Sequence, residues 1–244
     1  PDMDADTIGA SIEINTTSAF DRKTGLLAVK LEGSYNDYVG NVTPKGSVDF
    51  ATRIGDILGL SGGISYYKRE FETDNIEAAD WNEAGGVVFA EEVEYRDYDV
   101  ERERISGTLN ADVRASDYTT LFVRGSFSQF DDHEYRRRTV LIFNEDPRSG
   151  TATSASFADA DGRIEVRRDN KDRFERQRIA TYQAGFDHDD GAWKAHLSAS
   201  WARSSEKEDF SLDPIRFRAR FQNNGVNVDM DYSDPRVPLF SVSG

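Results

Sequence analysis

The sequence predicts an all-β fold: an antiparallel meander of long strands forming part of a large transmembrane β-barrel. Three observations lead there. Seven segments alternate apolar and polar residues with a period of two, which sends alternate side chains to opposite faces of a sheet. Tight turns alternate with long polar connections, as in barrels with short turns on one rim and long loops on the other. No stretch approaches the roughly 18 consecutive apolar residues of a membrane helix, and no segment carries a convincing helical period.

The first run places Leu27, Val29, Leu31, Gly33 and Tyr35 on one face, with Ala28, Lys30, Glu32, Ser34 and Asn36 between them. The second sets Val48, Phe50 and Ile54 against Ser47, Asp49, Ala51 and Arg53. The third carries Leu58, Leu60, Gly62, Ile64 and Tyr66, and the fourth Ile105, Gly107, Leu109, Ala111 and Val113. Leu121, Val123, Gly125 and Phe127 form the fifth; Ala180, Tyr182, Ala184 and Phe186 the sixth. The seventh runs Trp193, Ala195, Leu197, Ala199, Trp201. Turn formers stand at Gly55–Asp56, Ser116–Asp117 and Asp189–Asp190–Gly191. These three turns are expected on one edge. The polar excursions Glu72 to Glu92 and Asp131 to Asp172 are expected as loops on the other. Val93, Tyr95 and the Arg/Glu run to Arg104 lead straight into the fourth strand, longer than the 5–6 residues or so usual in a sandwich.

The seventh run sets a scale. Trp193 and Trp201 share a face eight residues apart, about 26 Å along a strand. A tilt near 40° shortens this to about 20 Å, close to an apolar band flanked by aromatic girdles. Lys30, Asp112, Arg114 and Arg124 are expected on the opposite face, toward a wet lumen. Asn224–Gly225 is expected to close a type I′ hairpin pairing Arg218 with Asp231 and Arg220 with Asp229.

Composition narrows the functional classes. Of 244 residues, 45 are acidic and 30 basic, for a net charge of −15. That field repels phosphate backbones and argues against nucleic-acid partners. Cysteine is absent, so there is no disulfide framework or thiolate site. The three histidines lack metal-ligand spacing. Asp159-Ala-Asp161-Gly162 fails the calcium-loop pattern at Phe157 and Arg168. Asp187 to Gly191 reads as a turn, and Arg136–Arg138 with Arg167–Arg168 as solvated loop faces. No catalytic residue, metal or cofactor is expected.

The opening stretch, Pro1-Asp-Met-Asp-Ala-Asp-Thr-Ile-Gly9-Ala10-Ser-Ile12-Glu13-Ile14, resembles the last plug strand of TonB-dependent outer-membrane receptors. In that family a Gly-Gly pair precedes an apolar-Asn-apolar triplet. Here Gly9-Ala10 and Ile12-Glu13-Ile14 stand in those places, and Thr16 to Asp21 is similar to the linker into the first barrel strand. The resemblance implies the end of a plug domain and linker over 1–21 and the N-terminal part of a barrel with long extracellular loops over 22–244. The chain has no room for a whole plug and 22 strands, shows no TonB box, and lacks a terminal aromatic residue. It is therefore expected to be an internal piece of such a receptor.

The function implied is binding of a scarce nutrient, a carbohydrate or an iron-siderophore, and its import across the bacterial outer membrane with TonB-coupled energy. The partners implied are outer-membrane lipid, the small-molecule nutrient, and the TonB complex through an upstream segment. Asp80, Trp81, Tyr95 and Tyr98 are the candidate ligand contacts, as carboxylate and aromatic side chains of outer segments. Two other readings stay open: a passive porin-like barrel, and a soluble all-β binding or adhesion module.

Overall fold

A computed structural model describes residues 17–244. Pro1 to Ile14, which carries the plug resemblance, lies outside the described residues. A single 3₁₀ turn, Ala19–Asp21, comes first. Twelve strands follow: β1 (Leu26–Tyr35), β2 (Val42–Ile54), β3 (Leu58–Ala84), β4 (Val87–Ser116), β5 (Thr119–Phe143), β6 (Ser149–Thr151), β7 (Ser154–Ala158), β8 (Ile164–Asp189), β9 (Lys194–Glu208), β10 (Leu212–Phe221), β11 (Asn227–Asp231) and β12 (Leu239–Ser243).

The large sheet has the order β1-β2-β3-β4-β5-β8, with β9 and β10 both beside β8. β9 pairs with Glu175–Asp189 and β10 with Ile164–Asp172, so the two lie end to end. All pairings are antiparallel, and the β3–β4 register holds from Leu58↔Val113 to Ala84↔Val87. The predicted meander of long antiparallel strands is therefore present. Its three short turns share one edge: the Arg114 amide donates to the Ile57 carbonyl (2.8 Å), and the Asp189 amide to that of Tyr118 (2.9 Å). Among the described residues β1 pairs only with β2, and β9 and β10 only with β8, so the sheet is open and no closed barrel is present.

The two polar excursions are largely strand, not loop. β3 runs on to Ala84, and Gly85 and Gly86, at φ 59° and 83°, turn the chain into β4. β5 extends to Phe143 and β8 begins at Ile164. A sheet wetted on both faces needs no apolar alternation, because its backbone ladder is satisfied whatever the side chains are. Charges take over the cross-strand pairing. Lys68 Nζ lies 3.0 Å from both Glu70 and Glu101, and Arg137 lies 3.0 Å from both Asp97 and Asp99.

The expected hairpin at Asn224–Gly225 is absent. Arg218 lies opposite Arg167, and Arg220 opposite Glu165, because β10 pairs with β8. β11 instead joins β7 and β12 in a separate sheet of order β12-β11-β7-β6. The turn between β10 and β11 is held by buried Asp159, whose carboxylate accepts the amides of Asn224 (2.7 Å) and Gly225 (3.2 Å). An isolated two-stranded ribbon is marginal in water. Docking on β8 and β7 gives the same residues carboxylate partners and buries Val228 and Met230.

The small sheet supplies the main apolar core, at the end of the molecule away from the short turns. Phe89, Val93, Leu141 and Phe143 of β4 and β5 meet Phe157, Val228 and Met230. The rings of Phe143 and Phe157 stack at 4.0 Å and 15°, with Phe89 edge-on to Phe157 at 5.7 Å.

Candidate ligand-binding face

The large sheet has two chemically distinct faces, set by residue parity. Leu58, Val113, Leu121, Phe186 and Leu197 occupy one register row, and Leu109 shares the next but one with Tyr182 and Trp201. This apolar face is uncovered: Leu27 is 75% exposed, Leu109 58% and Leu197 62%. Tyr182 stacks on Trp201 at 5.8 Å. The expected facing of Leu109, Ala111, Val113, Leu197 and Trp201 is thus observed.

The opposite face is polar at the same level. Ser47, Ser65, Ser106 and Ser128 form one row, and Thr108, Ser126 and Thr181 the next. Asp112, 2% exposed, pairs with Arg124 at 2.5 Å. The 17–21 segment is anchored on this face. Ser18 caps the 3₁₀ turn and donates through Oγ to Asp112 (2.7 Å). Arg53 donates to the carbonyls of Ala19 and Phe20, both at 3.1 Å. Arg114 lies 4.0 Å over the Phe20 ring. Gly59 leaves the space: a Cβ there would meet Phe20 at 3.1 Å and Ala19 at 3.2 Å.

Above the apolar rows, the β3–β4 hairpin separates charge by face. On the side continuous with the apolar band, Glu103 lies opposite Lys68, Glu70 opposite Glu101, Glu72 opposite Asp99, and Asp74 opposite Asp97. On the other side the pairs are Tyr67–Arg104, Arg69–Arg102, Phe71–Val100 and Thr73–Tyr98. One face of this stretch is acidic. The other is basic and aromatic, with no carboxylate contributed by either strand. Sequence reasoning missed this separation, although residue parity alone reveals it.

Higher still, the polar face carries a dense ion-pair network. Arg138 bridges Glu94 (2.8 Å) and Asp169 (2.5 Å), and Arg216 binds Asp169 bidentately at 2.8 and 2.9 Å. Glu165, 1% exposed, accepts from Arg220 at 2.7 Å and from Arg167. Burial by itself raises the Glu165 pKa. Hydrogen bonds from Arg220 and Arg167, with their charges, outweigh this and hold it at about 2. Glu92 is shifted upward, by burial first and then by its neighbour Glu94.

The four residues singled out from the sequence do not converge. Asp80 sits near the hairpin tip at φ 54°. Trp81 packs edge-on against Tyr232 at 5.7 Å. The Tyr95 hydroxyl donates to the Pro238 carbonyl, and its ring lies edge-on to Phe240 at 6.2 Å. Burial pushes its phenol pKa up. Tyr98 lies on the other face, with Arg136 over its ring at 5.9 Å. Tyr95 and Tyr98 are three residues apart, and an odd spacing in a strand divides them between faces. Among the described residues no group of His, Cys, Asp or Glu is placed to hold a metal ion. The chain matches no protein-family model and no curated protein.

Proposed function

We propose that this chain forms part of the wall of an outer-membrane β-barrel of the TonB-dependent receptor kind, which binds a scarce nutrient at its outer side and imports it with TonB-coupled energy. The observation carrying this reading is the uncovered apolar face of the large sheet, backed row for row by a polar one. In water such a face is costly, at about 25 cal/mol per Å² of apolar area. Lipid removes that cost, and a lumen solvates the polar side. The band from Val113 to Ile105 spans eight residues, about 20 Å after tilt. Among the described residues both sheet edges are unpaired, so closure needs further strands. The 17–21 segment meets the polar face beside the short turns, the place where a chain leaving a lumenal plug enters the wall.

The test is energy-dependent uptake by cells carrying the protein in their outer membrane. Accumulation that stops when a protonophore collapses the inner-membrane gradient supports the reading. Uptake that persists unchanged supports a passive pore. Recovery of the protein in the aqueous phase on detergent partition supports a soluble module and defeats both barrel readings.

A further inference from the structure

We infer that the polar face of the β3–β4 hairpin, just above the apolar band, binds a solute that joins carboxylates to flat apolar ring faces, and that an acidic oligosaccharide is the class it fits. This rests on the reading of that face as a transport lumen, and it names the substrate class.

The chain carries −15 overall, yet this patch is cationic. Arg69 and Arg102 lie directly opposite one another, and Arg104 is two residues along the same face. Like charges directly opposite destabilise a sheet. Arg102 finds Asp132 at 2.7 Å, but Asp132 is shared with Arg173 at 3.6 Å. Among the described residues, Arg69 and Arg104 have no carboxylate within ion-pair distance, and both are exposed. Comparable like-charged pairs higher up are neutralised: Arg96 and Arg138 by Glu94 and Asp169, Arg136 and Lys171 by Asp213. Among these facing cationic pairs of the described residues, Arg69–Arg102 is the one that leaves a guanidinium without a carboxylate, so an incoming anion relieves a repulsion built into the sheet.

Each guanidinium lies against an aromatic face: Arg104 over Phe130 at 4.9 Å, Arg69 and Arg102 over Phe71 at 4.8 and 5.2 Å, and Arg136 over Tyr98 at 5.9 Å. These contacts seat the guanidiniums against ring faces, and those of Arg69 and Arg104, with no carboxylate of the described residues on them, keep their N–H groups for an incoming one. From Arg104 to Tyr98 the row runs six residues, about 20 Å. Below it lie the hydroxyl rows of Ser106, Ser128 and Thr108. A repeated pairing of donor and ring over that length suits a solute of several rings in line, each bearing hydroxyls and an acid group. A single aromatic acid would occupy one step of it.

The test is calorimetric titration of the full chain in detergent micelles with trigalacturonate, neutral maltotriose and phenylacetate. Trigalacturonate is expected to bind at least tenfold more tightly than either of the others. Replacing Arg69→Ala together with Arg104→Ala should weaken it by at least about tenfold, the scale of one charged hydrogen bond. The Arg69→Lys, Arg104→Lys pair should restore part of the loss. Arg203→Ala, exposed on the other face, should change nothing. Equal binding of the two trisaccharides, or an unchanged affinity in the double alanine variant, overturns the proposal. Tighter binding of phenylacetate overturns the carbohydrate assignment in favour of aromatic acids. Micelle binding does not depend on transport, so selective binding without uptake would defeat the transport reading and leave this site standing.

Discussion

Replacing Leu109 by Arg distinguishes lipid from water at the apolar face. Leu109 is 58% exposed and lies midway between Val113, in the lower apolar row, and Ile105, beyond which charged residues begin. Four residues to either side are about 13 Å along the strand, or about 10 Å along the membrane normal after tilt. The side chain therefore sits near the midplane of the band. Arginine there costs about 2–4 kcal/mol in a bilayer, a loss of roughly 30- to 1,000-fold in the folding constant. The same change at an exposed site in water costs within about 0.5 kcal/mol. Thr108→Arg is the control. Its side chain points to the polar face, beside Ser126 and Gly63, and Asp49 lies over Gly63 to receive the new charge. The measurement is a urea titration of the protein refolded into phosphatidylcholine vesicles, followed by tryptophan fluorescence. Leu109→Arg should lower the midpoint strongly, and Thr108→Arg hardly at all. Equal costs for the two, or a cost below about 0.5 kcal/mol for Leu109→Arg, would refute the assignment of the apolar face to lipid.

Other outcomes follow from the packing. Asp159→Ala removes the acceptor of two backbone amides, leaving them unsatisfied at about 1–3 kcal/mol; amide exchange should accelerate over 223–231 while 105–113 stays protected, and uniform exchange would contradict the latch. Gly185→Ala places a Cβ against the Leu197 carbonyl and 2.6 Å from the Phe122 ring. The expected cost is about 1–3 kcal/mol, read as a lowered denaturation midpoint; an unchanged midpoint would show that the β8–β9 spacing differs from that described. Glu165 has a depressed folded pKa, so its contribution to stability is complete above the ordinary carboxylate range near 4.5 and is lost as pH falls toward about 2. Thermal melts should therefore show a decline between pH 4.5 and 2 in the native protein that is reduced in Glu165→Gln; identical pH profiles would remove Glu165 from the account.

How far the sequence reaches can be judged from particular residues. The period-two pattern by itself determined which side chains share a face, because strand geometry admits only two sides. That is why Leu109 and Trp201 fall together, and why Asp112 and Arg124 fall opposite them. Gly55, Ser116 and Gly191 marked the short turns, since positive φ or a side-chain oxygen that accepts a turn amide is demanded locally. The same parity separates Tyr95 from Tyr98 and gathers Arg69, Arg102 and Arg104, a signal present in the sequence and overlooked. Only the tertiary structure decided where polar strands end. Residues 72–84 and 87–92 are held by ladder bonds, by the Glu77–Arg96 ion pair across the hairpin and by Phe89 packing on Phe157, and none of these leaves an apolar period. It also decided the fate of Asn224–Gly225. The local pattern satisfied a hairpin well, but Glu165, Asp169 and Asp159 compete for the residues of this stretch from 47 to 65 positions away. Those carboxylates are buried in the folded chain, so their pull exceeds that of solvated cross-strand pairs, and proximity in sequence gives no measure of it.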